Sequence, residues 1–399
     1  MQSQIKFNRM ELAGSLGDLG TLLPLAIGMI LINGLNPMGL FLSVGLFYIF
    51  SGLYFQVTSP VEPMKVISAY AISTGLSASQ IQAGTGWLFI FLMFIGVTNI
   101  ITPIGRFIPK PVIRGVQLST GILLIAQGVE LMIGSAKFQA MHKAAEPYLG
   151  IQSLGPLPLG LLIGCILGLM TLFLLENKRL PAAILVVGTG LLIGLTLGTG
   201  EGFGQLRLGI YRPTLLPYGW PTATDFSFAL LVLVLPQIPM TVGNAVIANS
   251  DLSLQYFPKD GQRVTYRALC ISMALANLGS FFLGGMAMCQ GAGGLASRFR
   301  FGARTAGSNL IIGGIFVALA VFLGPGAVAL LYLLPLSALG VLLVFAGGQL
   351  SLTLIDMKSR KELFIPLLMV GITLASNLAV GFSVGIVVAY LFRWQRITI

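Results

Sequence analysis

Apolar runs of about 20 residues recur from residue 12 to residue 394, and short loops between them hold nearly all of the charge. Each run is long enough to cross a ~30 Å hydrocarbon core as a helix, because backbone groups in lipid must be satisfied within the segment. Of the 399 residues, 56% are hydrophobic and only 9% are charged, and the mean hydropathy is +0.92. Soluble domains carry roughly 25% charged residues. The chain therefore reads as an all-α integral membrane protein. Its 51 glycines suit close helix packing in lipid.

The runs fall at 12–32, 38–57, a short one at 61–75, 82–102, 113–133, 155–176 and 181–198, then at 226–249, 264–285, a short one at 290–299, 303–323, 327–350, 361–378 and 380–394. That gives 14 expected spans. With the N-terminus inside, the cytoplasmic segments carry Lys6, Arg9, Arg106, Lys110, Arg114, Lys178, Arg179, Lys259, Arg263, Arg267, Arg298, Arg300, Arg304, Lys358, Arg360, Lys361, Arg393 and Arg396. The opposite side carries Lys137, Lys143, Arg207 and Arg212, which leaves Lys65 as the one basic residue inside a span. An excess of basic residues in alternate loops places both termini in the cytoplasm, in a plasma (inner) membrane. It also explains the net charge of +11 without invoking nucleic acid as a partner. The N-terminus lacks a small-residue cleavage site, which argues against a removed signal peptide. Cys165, Cys270 and Cys289 lie far apart in apolar surroundings, which argues against a disulfide or metal framework. No cofactor is expected.

The loop 199–225 divides the chain into halves, 1–198 and 226–399, of seven spans each. An odd number of spans inserts the second half upside down, and the short span is third in each half. Corresponding broken segments in inverted halves point to a transporter binding site. The first of them, QVTSPVEPMKVIS (56–68), places Pro60, Glu62, Pro63 and Lys65 at membrane depth. Prolines there free backbone groups that must line a cavity or be buried in protein. A short helix is expected to start near Val61, with Glu62 and Lys65 three apart on one face. They would form a structural ion pair, or Glu62 would take up a proton during transport. Thr58 and Ser59 offer hydroxyls to a ligand or cap the helix.

The second broken segment, MAMCQGAGGLASRFRFGAR (286–304), places Gln290, Gly291, Ala292, Gly293 and Gly294 at an expected helix N-terminus. Exposed N–H groups and the peptide dipoles make such an end an anion site without a cation side chain. Tight packing of small residues is the alternative use of these glycines. In the first span, Asp18 stands between Gly17 and Gly20, with Thr21 following. Asp18 could carry a coupling proton, pair with Lys65, or only complement the helix dipole. In the eighth span Gln237, Thr241 and Asn244 make a polar seam beside two prolines, for a ligand or for joining helices. Two short helices pointing positive ends at one spot favour a small anion, released by exposing the site to each side in turn.

The stretches GDLGTLLP (17–24), PVEPMKVISAYA (60–71), LPQIPMTVGNAVIA (235–248) and GGMAMCQGAGGLASRFRFGAR (284–304) together resemble the molybdate transporter family, related to the sulfate permeases (SulP) and more distantly to nucleobase transporters. The resemblance implies seven plus seven inverted spans, with a core domain from spans 1–4 and 8–11 and a gate domain from spans 5–7 and 12–14. It implies an oxyanion bound between the starts of the third and tenth spans, and a homodimer. The regulatory (STAS) domain common in sulfate permeases is not expected. Plant members tend to carry Gln where Glu62 stands and His where Gln290 stands. The expected activity is import of molybdate, with sulfate or tungstate as other cargo, by proton symport. A proton-coupled nucleobase carrier, an anion channel and a membrane scaffold are the competing readings. An enzyme is not expected, since the only histidine, His142, lies in an outer loop and no nucleophile–base or metal cluster occurs within the spans.

Overall fold

The computed structural model describes residues 5–98, 100–101, 109–174, 182–201 and 206–393. Arg106, Lys178, Arg179 and Arg396 lie outside the described residues. The first half contains α1 (Arg9–Ser15), α2 (Leu19–Leu31), α3 (Pro37–Phe55), strand β1 (Glu62–Pro63), α4 (Lys65–Thr74), α5 (Ala78–Thr98), α6 (Lys110–Ile133), α7 (Lys137–His142), the hairpin β2 (Ser153–Leu154) and β3 (Leu157–Pro158), α8 (Leu159–Leu174) and α9 (Ala182–Leu197). The second contains α10 (Ala223–Tyr256), α11 (Tyr266–Leu283), β4 (Met288–Cys289), α12 (Ala292–Arg300), α13 (Ala306–Tyr332), α14 (Leu336–Asp356), α15 (Arg360–Ala375) and α16 (Leu378–Arg393). Helices stand at every expected span.

Among the described residues, seven helices are long and apolar enough to cross a membrane, and α1 with α2, bent by 43°, would make an eighth. Helices α8, α9 and α16 are apolar but shorter. On α8, Ile166, Leu169 and Phe173 lie on one face and are 65%, 57% and 86% exposed, while Ile163, Leu167 and Thr171 are buried. Large apolar side chains exposed along one face of a helix fit a lipid environment.

Two boundaries differ from expectation. The third segment does not become helical at Val61, because Pro60 and Pro63 hold it extended to Met64, and α4 begins at Lys65. The segment expected as one span at 327–350 is broken at Leu333–Pro335, since Pro335 starts α14 and cannot extend α13. Helix α10 contains two π stretches, Ala229–Val234 and Thr241–Ala248, on either side of Pro236 and Pro239. Prolines remove two donors from the ladder there, which favours a shifted hydrogen-bond pattern.

Close packing sets the frame. Helix α3 lies on α13, where a Cβ on Gly45 or Gly313 would sit 2.8 Å from the other's carbonyl oxygen. Helix α6 lies on α14 through Gly128 and Gly340, where the same distance is 2.5 Å. Larger residues could not hold these backbones so close.

Candidate functional site

The two broken segments meet. Strand β1 pairs antiparallel with β4, setting Glu62 opposite Cys289 and Pro63 opposite Met288, and Met64 N donates to Ala287 O at 2.8 Å. Asn277 of α11 holds the second segment through Met288 N (3.0 Å) and Met288 O (2.9 Å). Asn309 of α13 holds the first, accepting from Ser59 N (3.0 Å) and donating to Ser59 O (2.8 Å). Non-helical backbone thus stays inside protein, fully partnered at these positions.

Glu62 and Lys65 form an ion pair at 3.4 Å. They do so from an extended residue to the first turn of α4, not along one helix face as the spacing suggested. The Glu62 carboxylate reaches the N-terminus of α12. A methyl group on Gly291 would collide with Glu62 Oε2, and one on Gly294 would lie 3.0 Å from Oε1. Glu62 is 1% exposed, and its Oε2 accepts no hydrogen bond. Bare backbone at Gly291 and Gly294 is what lets a carboxylate come this close to the positive end of the helix.

Asp18 does not pair with Lys65. It pairs with Arg298 of α12 at 3.1 Å, both side chains fully buried. Its other oxygen accepts from Tyr48 Oη (2.8 Å) and Val61 N (3.2 Å). The Arg298 guanidinium also donates to Thr58 Oγ1 (2.9 Å), Asn309 Oδ1 (2.9 Å) and Ser15 O (3.3 Å). The loop pattern assigns Arg298 to the cytoplasmic cations, but its side chain is fully buried, so Lys65 is not the only basic residue in the interior. Its neighbours Arg300 and Arg304 mark the end of the span, and nothing in SRFRFGAR separates the buried arginine from the exposed ones. The one available signal was Asp18, a buried carboxylate needing a cation.

A cavity of ≈ 860 Å³ lies beside this pairing. Of the expected site residues, Asp18, Thr21, Glu62, Lys65, Asn244, Gly293 and Gly294 line it. The lining continues to Lys110, Arg114, Gln117 and Arg300, at the start of α6 and the end of α12. Arg114 binds Asp356 with two hydrogen bonds, at 3.0 and 2.5 Å, and Lys110 joins the same carboxylate at 2.9 Å. The remaining expected residues do not line the cavity. Gln237 Oε1 accepts from Val66 N (3.0 Å) and Ile67 N (3.4 Å), so it caps α4, and its amide donates to Thr241 Oγ1 (3.0 Å). Gln290 donates to Ser59 Oγ (2.7 Å) and accepts from Ser272 Oγ (3.0 Å). Thr58 is taken by Arg298 and by Ser308 (2.9 Å). Val61 is fully buried, with its N–H on Asp18 and its carbonyl accepting from Tyr48 Oη (3.1 Å). Gly291 and Ala292 form the N-terminus of α12 behind the exposed Gly293.

Comparisons with known proteins give the family and the fold. The family profile described as "Molybdate transporter of MFS superfamily" matches residues 10–124 and 229–350. Molybdate transporter 2 of Arabidopsis thaliana is 31% identical, over 97% of this chain and 88% of its own. Molybdate transporter 1 of Chlamydomonas reinhardtii is 30% identical, over 94% and 90%. Among solved structures, the transmembrane domain of a cyanobacterium bicarbonate transporter, BicA, superposes with a TM-score of 0.65 at 16% identity, covering 97% of this chain and all of that one. Murine Slc26a9, an anion transporter in the inward-facing state, gives 0.69 at 15% identity, covering 99% and 70%. At those identities the likeness is one of fold.

Proposed function

Since the chain belongs to the molybdate transporter family, we propose that it imports molybdate by alternating access, with sulfate and tungstate as competing cargo. The observation that carries this reading is the meeting of β1 with β4 beside the cavity, where Lys65 and the N-terminus of α12 offer positive charge to one small volume. An oxyanion needs such donors, and buried dipoles supply them without a dense cluster of cations.

The proposal includes the topology: fourteen crossings, inverted halves 1–198 and 226–399 joined by 199–225, and both termini in the cytoplasm. It takes spans 1–4 and 8–11 as the core and spans 5–7 and 12–14 as the gate. Two packing pairs support the inversion. Helices α3 and α13 are the second and eleventh segments, and α5 and α11 are the fourth and ninth, so an inversion of halves exchanges one tightly packed pair for the other. The cavity, lined at one end by Lys110, Arg114 and Arg300, corresponds to a state open to the basic, cytoplasmic side.

Proton symport belongs to the same proposal, with Glu62 as the carrier. Both Asp18 oxygens accept hydrogen bonds, from Arg298, Tyr48 and Val61, whereas Glu62 Oε2 has only the Lys65 ammonium, 3.4 Å away, and no hydrogen bond.

Uptake of radiolabelled molybdate into proteoliposomes, with an inward proton gradient, tests the proposal. Saturable uptake that the gradient accelerates and tungstate and sulfate inhibit is the expected result. Failure of tungstate to compete would remove the molybdate reading, and competition by uracil would favour a nucleobase carrier. Flux that never saturates would point to a channel. In Glu62→Gln the acceleration by the gradient should vanish, while an unchanged pH dependence would remove Glu62 as the carrier.

A further inference from the structure

Glu62 stands where the cargo should be. Its carboxylate lies against Gly291 and Gly294 at the start of α12, with the Lys65 ammonium 3.4 Å from Oε2. The side chain is 1% exposed, yet Oε2 accepts no hydrogen bond. A carboxylate is itself a small oxyanion, and here it meets the two positive features that would recognise a free one, an ammonium and a helix N-terminus. Glu62 Oε2 is met by the Lys65 charge alone, at 3.4 Å, whereas both oxygens of Glu146, a structural tie elsewhere in this chain, accept backbone hydrogen bonds, from Leu336 N and Ser337 N, both at 2.8 Å.

We propose that the Glu62 carboxylate is a tethered competitor, filling the anion seat of the empty transporter and yielding it to molybdate when the side chain is protonated and turns aside. This rests on the reading of the site as an oxyanion seat, and adds how that seat is held closed to cargo. A dianion and an ionised carboxylate cannot share one small volume, since like charges at contact distance repel strongly in a poorly screened interior. Loading therefore takes up one proton on Glu62, and Lys65 exchanges its partner from carboxylate to cargo. Release reverses both, and the returning carboxylate, having lost its proton to the cytoplasmic side, displaces the anion.

Among the described residues, the other charged or titratable groups against Glu62 have partners of their own. Lys65 of α4 is its ion-pair partner. Asp18 of α2 is held by Arg298 of α12 and Tyr48 of α3. Cys289 of β4 sits opposite in the strand pair, its thiol directed to the Pro63 carbonyl at 3.9 Å.

Equilibrium binding of radiolabelled molybdate to the purified full-length protein, from pH 5.5 to 8.5, tests the competition. For the wild type, each pH unit above the titration of Glu62 should weaken binding by about tenfold, one proton being linked to one anion. Glu62→Gln should bind at least tenfold more tightly than wild type at the alkaline end, and with no such slope. Glu62→Asp, whose shorter side chain withdraws from Gly291, should keep the slope but bind more tightly than wild type, so the inference stays testable should the Gln variant fail to fold. Equal slopes in wild type and Glu62→Gln, or loss of binding in Glu62→Gln with normal folding, would overturn the competitor role while leaving the seat itself intact. Absence of molybdate binding to wild type at every pH would instead overturn the underlying site reading.

Discussion

At the scale of single residues, the interior is organised by two ion pairs of different character. Glu62 and Lys65 could be read from the sequence, since a carboxylate and an ammonium on either side of Pro63 at membrane depth mark a functional site. Asp18 could be read as buried, but its partner could not. Arg298 sits two residues from Arg300 in a stretch that also serves as a basic loop, and only the folded chain carries it under α2 and α3. The Asp18–Arg298 pair is fully buried and its hydrogen bonds reach Thr58, Asn309, Tyr48 and Val61. Removing one partner leaves an uncompensated charge, at a cost of about 3–5 kcal/mol. Asp18→Asn and Arg298→Met are each expected to lower thermal stability in detergent markedly. The double substitution should recover part of the loss, because no isolated charge remains.

Among the secondary-structure elements, helix positions follow from the apolar runs, while their starts follow from contacts distant in sequence. Helix α4 begins at Lys65 and is capped by Gln237 of α10, an acceptor no local pattern announces. The π stretch Thr241–Ala248 is equally hidden, although two prolines just before it gave notice that the ladder would be disturbed. Glu146 behaves as Gln237 does: it lies in the segment between α7 and β2, and its carboxylate accepts from the first two N–H groups of α14. Pro335 removes the possibility of a conventional cap from the preceding turn. Charge-assisted bonds of this kind contribute about 1.5–3 kcal/mol each when measured by deletion. Glu146→Ala should therefore destabilise the fold by a few kcal/mol, read as a lower melting temperature. Hydrogen exchange should quicken most at the start of α14.

For the whole molecule, the sequence supports an integral membrane transporter, and the fold shared with BicA and Slc26a9 supplies the three-dimensional frame. The cavity is lined by Lys110, Arg114 and Arg300 and also by Glu62 of the β1–β4 pair. A cysteine at Ser297, which lines this cavity, should react with a membrane-impermeant thiol reagent applied from the side of Lys110 and Arg300, in a background lacking the exposed Cys165. Reaction only from the opposite side would reverse the assigned orientation. The cavity could not be read from the sequence, because it depends on how far α6 and α14 stand from α2 and α10, and that spacing is set by packing rather than by pattern.

The pairing of β1 with β4 also has a consequence for how the protein is made. Pro63 and Cys289 are 226 residues apart. At ~5–20 residues per second, a ribosome needs on the order of 10–45 s to deliver the second strand after the first. During that interval an extended stretch carrying Glu62 and Lys65 has no partner strand, and lipid offers its free amides nothing. The newborn first half must wait sheltered, in the insertion machinery or in water at the membrane surface. The third segment is therefore expected to enter the bilayer late, after the chain that follows it.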